Sequence, residues 1–155
     1  QYEKHKIRIM PKEIYYLNQD TLPAMPVPHD CIIKSIALEG EFLVFSFTDD
    51  ISRYDSVSRI RPDAKSLIIR YHLVDEGYWL YKFVKPGKIF FREGAYKGLS
   101  QDALFRLADG KLEYLDHFVS YESIIIKMYS DRGIILGADV DYVEYEWIYQ
   151  NGSAC

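Results

Sequence analysis

Residues 32–48 read IIKSIALEGEFLVFSFT: two apolar runs, alternating with polar or small residues, on either side of a central EGE. A period of two in β-branched and aromatic residues marks half-buried strands, whereas helices repeat their apolar positions roughly every 3.6 residues. The first run puts Ile32, Ile36 and Leu38 on one side, with Lys34 interrupting, and the second puts Leu43, Phe45 and Phe47 on one side. Gly40 between them supplies the positive φ that a tight connection often requires. The stretch predicts a β-hairpin whose apolar sides belong to the core.

The same period continues outward. KSLIIRYHLV (65–74) alternates Leu67, Ile69, Tyr71 and Leu73 against Ile68, Arg70, His72 and Val74. YWLYKFV (78–84) puts Trp79, Tyr81 and Phe83 on one side, and DEG (75–77) reads as the turn between these two strands. PGK (86–88) turns the chain again into IFFRE. Further strands are expected in KLEYLDHFV (111–119), YESIIIKMYS (121–130), a short core at 134–137 and DVDYVEYEWIY (139–149). One helix is expected in SQDALFRLADG, with Ser100 as N-cap, Asp102 in the first turn, Leu104 and Leu107 on one side and Gly110 as the stop. PKEIYYLNQD (11–20) fits either a helix opened by Pro11 or a strand.

Together these elements predict a mainly β (α+β) single domain over 1–155. Its core is a curved or closed antiparallel sheet of eight or more strands, with one short helix near 100–109. Closure removes the exposed edges that such aromatic strands otherwise present. The longest loops fall at 18–30, rich in proline, and at 49–64, rich in charge.

Composition narrows the function classes. The chain is 48% hydrophobic and 15% aromatic, enough for a core without metal or disulfide staples. A formal net charge of −4 argues against a nucleic-acid binder, which needs excess Lys and Arg to displace phosphate counterions. No apolar run approaches the roughly eighteen residues that span a bilayer. No basic-then-apolar signal pattern is present, so a cytoplasmic protein is expected. Cys31 and Cys155 are no disulfide framework and fit reduced thiols. NGS at 151–153 matches a glycosylation sequon that matters only in a secretory pathway. His5, His29, His72 and His117 lack paired metal-ligand spacing, and phosphate-binding glycine loops are absent. No metal or cofactor is expected.

Three constellations remain. His29, Asp30 and Cys31 enter the hairpin, and an extended backbone points His29 and Cys31 to the same side, where an imidazole activates a thiolate if the two meet. No oxyanion-forming glycine turn accompanies them, and a small buried cysteine with loop hydrogen bonds is the plainer reading. Arg53, Arg59 and Arg61 can converge on an anion or a carboxylate-bearing partner, although Asp49, Asp50, Asp55 and Asp63 interleave with them. In the C-terminal strand Asp141, Val143, Tyr145, Trp147 and Tyr149 share one face, expected to serve the core. Tyr142, Glu144, Glu146 and Ile148 share the other, a mixed acidic-aromatic surface suited to a basic protein partner.

HDCIIKSIALEGEFLVFSFTDD resembles the opening of small uncharacterised bacterial proteins in which H-D-C leads into a hairpin ending F-x-F-x-D. The matching residues are His29, Asp30, Cys31, Ile36, Leu43, Phe45, Phe47 and Asp49, all within 29–49. Some proteins of that kind lie beside polymorphic toxins and are regarded as immunity proteins. The resemblance implies a bacterial, cytosolic, non-catalytic protein and assigns no catalytic residue. The expected function is a protein-binding module, with Tyr142, Glu144, Glu146, Arg53, Arg59 and Arg61 as candidate partner-binding residues. A small-ligand-binding, barrel-like protein and an enzyme using the His29–Cys31 segment are the alternatives.

Overall fold

The central hairpin forms as its alternation dictates. In the computed structural model, which describes residues 12–48, 50–84, 94–108 and 111–149, β2 (Ile32–Glu39) and β3 (Phe42–Phe47) pair antiparallel. Gly40 has a φ of +59° in the turn between them. Leu43, Phe45 and Phe47 point inward and are buried. The face of β2 differs from the sequence expectation. A bulge between Ile33 and Ser35 inserts one extra residue, Lys34, so the side-chain alternation slips there. Ile33 and Ile36 are therefore the buried pair, while Ile32 is half-buried and Leu38 exposed.

The other strands are β1 (Glu13–Tyr16), β4 (Ala64–Val84), β5 (Ala95–Gly98), β6 (Leu112–Ser120), β7 (Ser123–Tyr129) and β8 (Gly133–Tyr149). The ambiguous 11–20 segment thus contributes a strand. The eight strands of the described residues lie in the order β1-β8-β7-β6-β2-β3-β4-β5, and β8 also pairs with β4. The path β8-β7-β6-β2-β3-β4 consequently returns to β8, and the antiparallel sheet closes into a ring. Its weakest joint is β2–β6, where only Ile32↔Glu113 and Ile33↔Leu112 are in register.

The spine of the ring is the β4–β8 ladder, running from Ala64↔Tyr149 to Lys82↔Ile134. Two sequence expectations are corrected here. DEG (75–77) is no turn: β4 runs through it, and between Leu73 and Tyr78 the ladder is irregular, with Asp75 at a φ of 57°. The two expected C-terminal strands are one 17-residue strand. A partner strand long enough to pair with both halves keeps each of them in a single ladder, whatever turn residues lie between.

Two helices complete the described residues. α2 (Gln101–Leu107) is the expected one. Its Ser100 side chain accepts a hydrogen bond from the Ala103 N–H at 3.2 Å, and Leu104 is buried against the core. It packs on β2, beside the weak joint. α1 (Asp55–Ser58) is a single turn in the segment read as a charged loop, anchored by buried Val57. PGK, IFFRE, Gly110, His5, Asp49, the sequon and Cys155 lie outside the described residues. Among those described, no helix is long and apolar enough to cross a membrane.

Side chains fill the interior of the ring. The Phe45 ring meets Tyr71 edge-on at 5.2 Å and Tyr114 at 6.3 Å, among Leu43, Leu67 and Ile126. The hydroxyls of the buried tyrosines Tyr71, Tyr114 and Tyr145 are partnered, as burial demands, whereas the buried Thr48 hydroxyl has no partner among the described residues. Tyr71 and Tyr114 bond at 3.1 Å, the Tyr114 hydroxyl lies 2.6 Å from His117 Nδ1, and Tyr145 donates to the Pro26 carbonyl at 2.6 Å. That last bond, with buried Met25, fastens the proline-rich loop over the core.

Candidate protein-interaction face

The His29–Asp30–Cys31 segment is a turn rather than an extended strand. Asp30 takes a φ of 66°, a left-handed conformation that Asp tolerates better than most residues. Cys31 N–H donates back to the Pro28 carbonyl at 3.1 Å. Asp30 N–H to the Tyr114 carbonyl (2.9 Å) and Tyr114 N–H to the Cys31 carbonyl (3.0 Å) stitch the turn to β6. The turn sends the two side chains apart, contrary to the same-side expectation. Cys31 is fully buried, whereas His29 stays outside and its Nδ1–H donates to the Leu115 carbonyl at 2.6 Å.

Burial pushes the Cys31 thiol up to about 12, outweighing the lowering effect of a hydrogen bond with Ser56, while the smaller effects of the Asp30 and Arg53 charges oppose each other. A thiol held neutral and covered reacts slowly. Cys31 should therefore be alkylated at neutral pH at least about tenfold more slowly than a cysteine in a short peptide. The comparison uses a Cys155→Ser variant, and modification as fast as the peptide's would contradict the assignment.

The three arginines do not converge. Arg61 Nε donates to Glu13 Oε1 at 3.1 Å, and its guanidinium lies 5.5 Å from the Trp147 ring centre. Burial raises the Glu13 carboxyl, but hydrogen bonds from Tyr15 and Arg61 outweigh it and hold the group below the usual carboxylate range. Arg53 lies 5.0 Å over the ring of Tyr54, and Arg59 is exposed. Arg53 instead joins His29, Asp30, Tyr54, Asp55 and Ser56 around an open polar cleft of about 320 Å³. Ser56 fastens that cleft by donating to the His29 carbonyl at 2.7 Å. Asp30 and Asp55 beside Arg53 oppose its charge, so the cleft has no clear preference for an anion.

From Tyr142 onward the C-terminal strand divides as the sequence predicts, but Asp141, expected on the core side, turns to the outer face at a bulge. Val143, Tyr145 and Trp147 are buried, and Tyr142, Glu144, Glu146 and Ile148 face outward. Register then adds residues from three other strands. Tyr16 on β1 lies opposite Tyr142, Tyr142 opposite His72 on β4, and His72 opposite Phe42 on β3. The rings touch in series: 6.0 Å from Tyr16 to Tyr142, 4.5 Å and nearly parallel from Tyr142 to His72, and 5.1 Å edge-on from His72 to Phe42.

A bulge orients this row. From His72 to Leu73 the register on β8 moves from Tyr142 to Val140, leaving Asp141 as the extra residue. Its carboxylate reaches His72 Nδ1 at 2.6 Å, while Glu41 reaches Nε2 at 2.9 Å. Burial lowers the His72 pKa, but the two carboxylates outweigh it and hold the imidazole above its ordinary value. With both nitrogens engaged, His72 acts here as an electrostatic clip between β3–β4 and β8. Glu146 is held by Arg70 at 2.7 Å and Glu144 by Lys12 at 3.9 Å, so these two carry less free charge than the sequence implied. Glu41, with an 80% exposed side chain, and exposed Glu39 remain open to solvent beside Phe42.

Alternation in 65–74 already placed His72 and Arg70 on one side of their strand. Which strand lies beside which was not legible, so Tyr16, His72 and Phe42 were missed as companions of Tyr142. Among the described residues no cluster of three or more His, Cys, Asp or Glu has the disposition of a metal site. The molecule is thus a closed antiparallel β-ring with a filled interior and an acidic-aromatic outer face. No protein-family model, curated protein or solved structure matches the chain.

Proposed function

We propose that the chain is a non-catalytic protein-binding module that receives a basic segment of its partner on the outward face of β1, β8, β4 and β3. The observation that carries this reading is the row Tyr16–Tyr142–His72–Phe42, set among carboxylates that outnumber the cations around it. Glu39, Glu41, Asp141, Glu144 and Glu146 stand there against Lys12, Arg70 and His72. Aromatic rings bind cationic side chains through their faces and lose little entropy when covered, while surplus carboxylates steer a basic partner's approach. The resemblance of residues 29–49 to small uncharacterised bacterial proteins, some of them regarded as immunity proteins, supports a specific form of the reading, in which a bacterial cytoplasmic protein neutralises a toxin by covering a basic surface.

The alternatives draw less support. The ring interior is occupied by Phe45, Tyr71, Tyr114 and Tyr145 rather than open to a ligand. The His29 and Cys31 side chains lie on opposite sides of a turn.

The test takes the protein encoded by the neighbouring gene as partner. Association with the wild-type chain should slow as salt rises, and Glu39→Lys/Glu41→Lys should slow it by about tenfold or more at low salt. Tyr142→Ala should instead raise the dissociation rate by about tenfold. A complex whose association ignores both salt and the charge reversal would remove this face from consideration.

A further inference from the structure

The other half of the β4–β8 ladder turns a second face outward, and this one is apolar. Register partners on adjacent strands share a face. One row runs Trp79 on β4, Gly137 on β8, Ile125 on β7 and Phe118 on β6. The next runs Tyr81, Ile135, Lys127 and Asp116, and beyond it lie Tyr96 on β5 and Tyr129 on β7. Trp79 is 43% exposed, Ile125 41% and Phe118 54%. A contiguous apolar expanse of this kind is unusual on a monomer and marks a contact surface.

The glycines of β8 leave no trough in this face. A Cβ added at Gly137 would come within 2.3 Å of the Trp79 indole, so the ring lies directly across the glycine and fills the trough above β8. The Tyr96 hydroxyl covers Gly133 in the same way, 3.4 Å from where a Cβ would sit.

We infer that this face joins two copies of the chain in a symmetric dimer, sheet face against sheet face. With its glycine positions covered, the face offers an unbroken apolar surface to its own copy, and stacked sheets pack at about 10 Å. Its charges are complementary too. Lys127 stands within the patch, 5.9 Å from the Phe118 ring centre, while Asp116 and exposed Asp139 lie at its margins. A two-fold operation brings groups of both signs on one patch against each other, whereas the acidic aromatic face selects a single sign. Four strands and three rows span roughly 20 Å by 20 Å at the usual sheet spacings. That is a projected area of about 400 Å², about half of the roughly 800 Å² per partner of an ordinary specific interface, so the contact is a weak one. The expected dimer is therefore of micromolar strength.

Sedimentation velocity of the full chain across a concentration series tests this. The wild type should pass from monomer to dimer with a dissociation constant on the order of micromolar. Ile125→Lys/Phe118→Lys should raise that constant by about a hundredfold or more with an unchanged circular dichroism spectrum. Phe118→Lys alone, at the most exposed of these positions, serves if the double variant does not fold, and should weaken the dimer at least about tenfold. A wild type that stays monomeric to near-millimolar concentration would overturn the inference and leave the face to a different protein. A dimer unaffected by a folded Phe118→Lys variant would overturn it equally.

Discussion

Phe45→Ala should lower the unfolding free energy by about 3–5 kcal/mol, the range in which buried aromatic truncations fall. Phe45 has no exposed surface and lies at the centre of the ring interior, edge-on to Tyr71 at 5.2 Å. Truncation removes the transfer energy of the ring and leaves a cavity. The walls of that cavity are strands of a closed sheet, which cannot move together without breaking ladder hydrogen bonds. The loss is a large share of the roughly 5–15 kcal/mol that stabilises an ordinary domain. Urea unfolding measures it, and a midpoint equal to that of the wild type would mean that the side chain does not serve the core.

Tyr114→Phe should cost on the order of 2–6 kcal/mol, although it removes one oxygen and keeps the ring. The Tyr114 hydroxyl stands between the Tyr71 hydroxyl and His117 Nδ1, so its loss strands two buried polar groups at once. Stranding each costs roughly 1–3 kcal/mol. A variant within experimental error of the wild type would show that water or rearrangement satisfies both neighbours. The same centre gives stability a pH dependence of definite sign. Burial holds the His117 pKa below its ordinary 6.5, against smaller upward effects of Asp116 and a hydrogen bond to Met25. The unfolded chain therefore binds the proton first. The stability that neutral His117 confers is complete above about 6.5 and is lost as the pH falls from there through the lowered value. His72 acts in the opposite sense. Its folded pKa is raised, so its contribution is complete below 6.5 and is lost as the pH rises through the raised value. Imidazole NMR titration of the folded protein should accordingly find His72 protonated at a higher pH than His117, and the reverse order would contradict both assignments.

What was legible in the sequence was what alternation controls. The β2–β3 hairpin, the inward face of β3, the alternation in the first half of β4 and the division of 142–149 into a core side and an outer side all follow from period two, whereas in the second half of β4 the aromatic side, Trp79 and Tyr81, turns outward and Leu80 is the buried residue. The Ser100 cap was legible because capping is local chemistry. Bulges were not, since a one-residue slip at Lys34 or Asp141 depends on the partner strand and leaves no mark in composition. The DEG segment misled for a related reason. Its residues favour a turn, but pairing to the long β8 overrides that preference and carries β4 straight through. The site was half legible. Tyr142, Glu144 and Glu146 were placed on one outer face, yet Tyr16, His72 and Phe42 join them only through register across four strands. Pairing to Arg70 and Lys12, which moderates the acidity, was hidden for the same reason. The positive φ at Asp30, which separates His29 from Cys31, is likewise a consequence of docking to β6.

The two outward faces share one ladder and differ in chemistry because the bulges at His72–Leu73 and Leu73–Tyr78 divide it. On one side of them lie stacked rings among carboxylates, and on the other an apolar face with little net charge. Partner recognition on the first and self-association on the second are thus separable by substitution. The most direct measurement of the recognition claim follows the aromatic carbon–proton NMR signals of Tyr16, Phe42 and Tyr142 while the neighbouring-gene protein is titrated in. These three rings should shift or broaden in proportion to complex formed. Saturating binding that leaves all three unmoved would contradict the account.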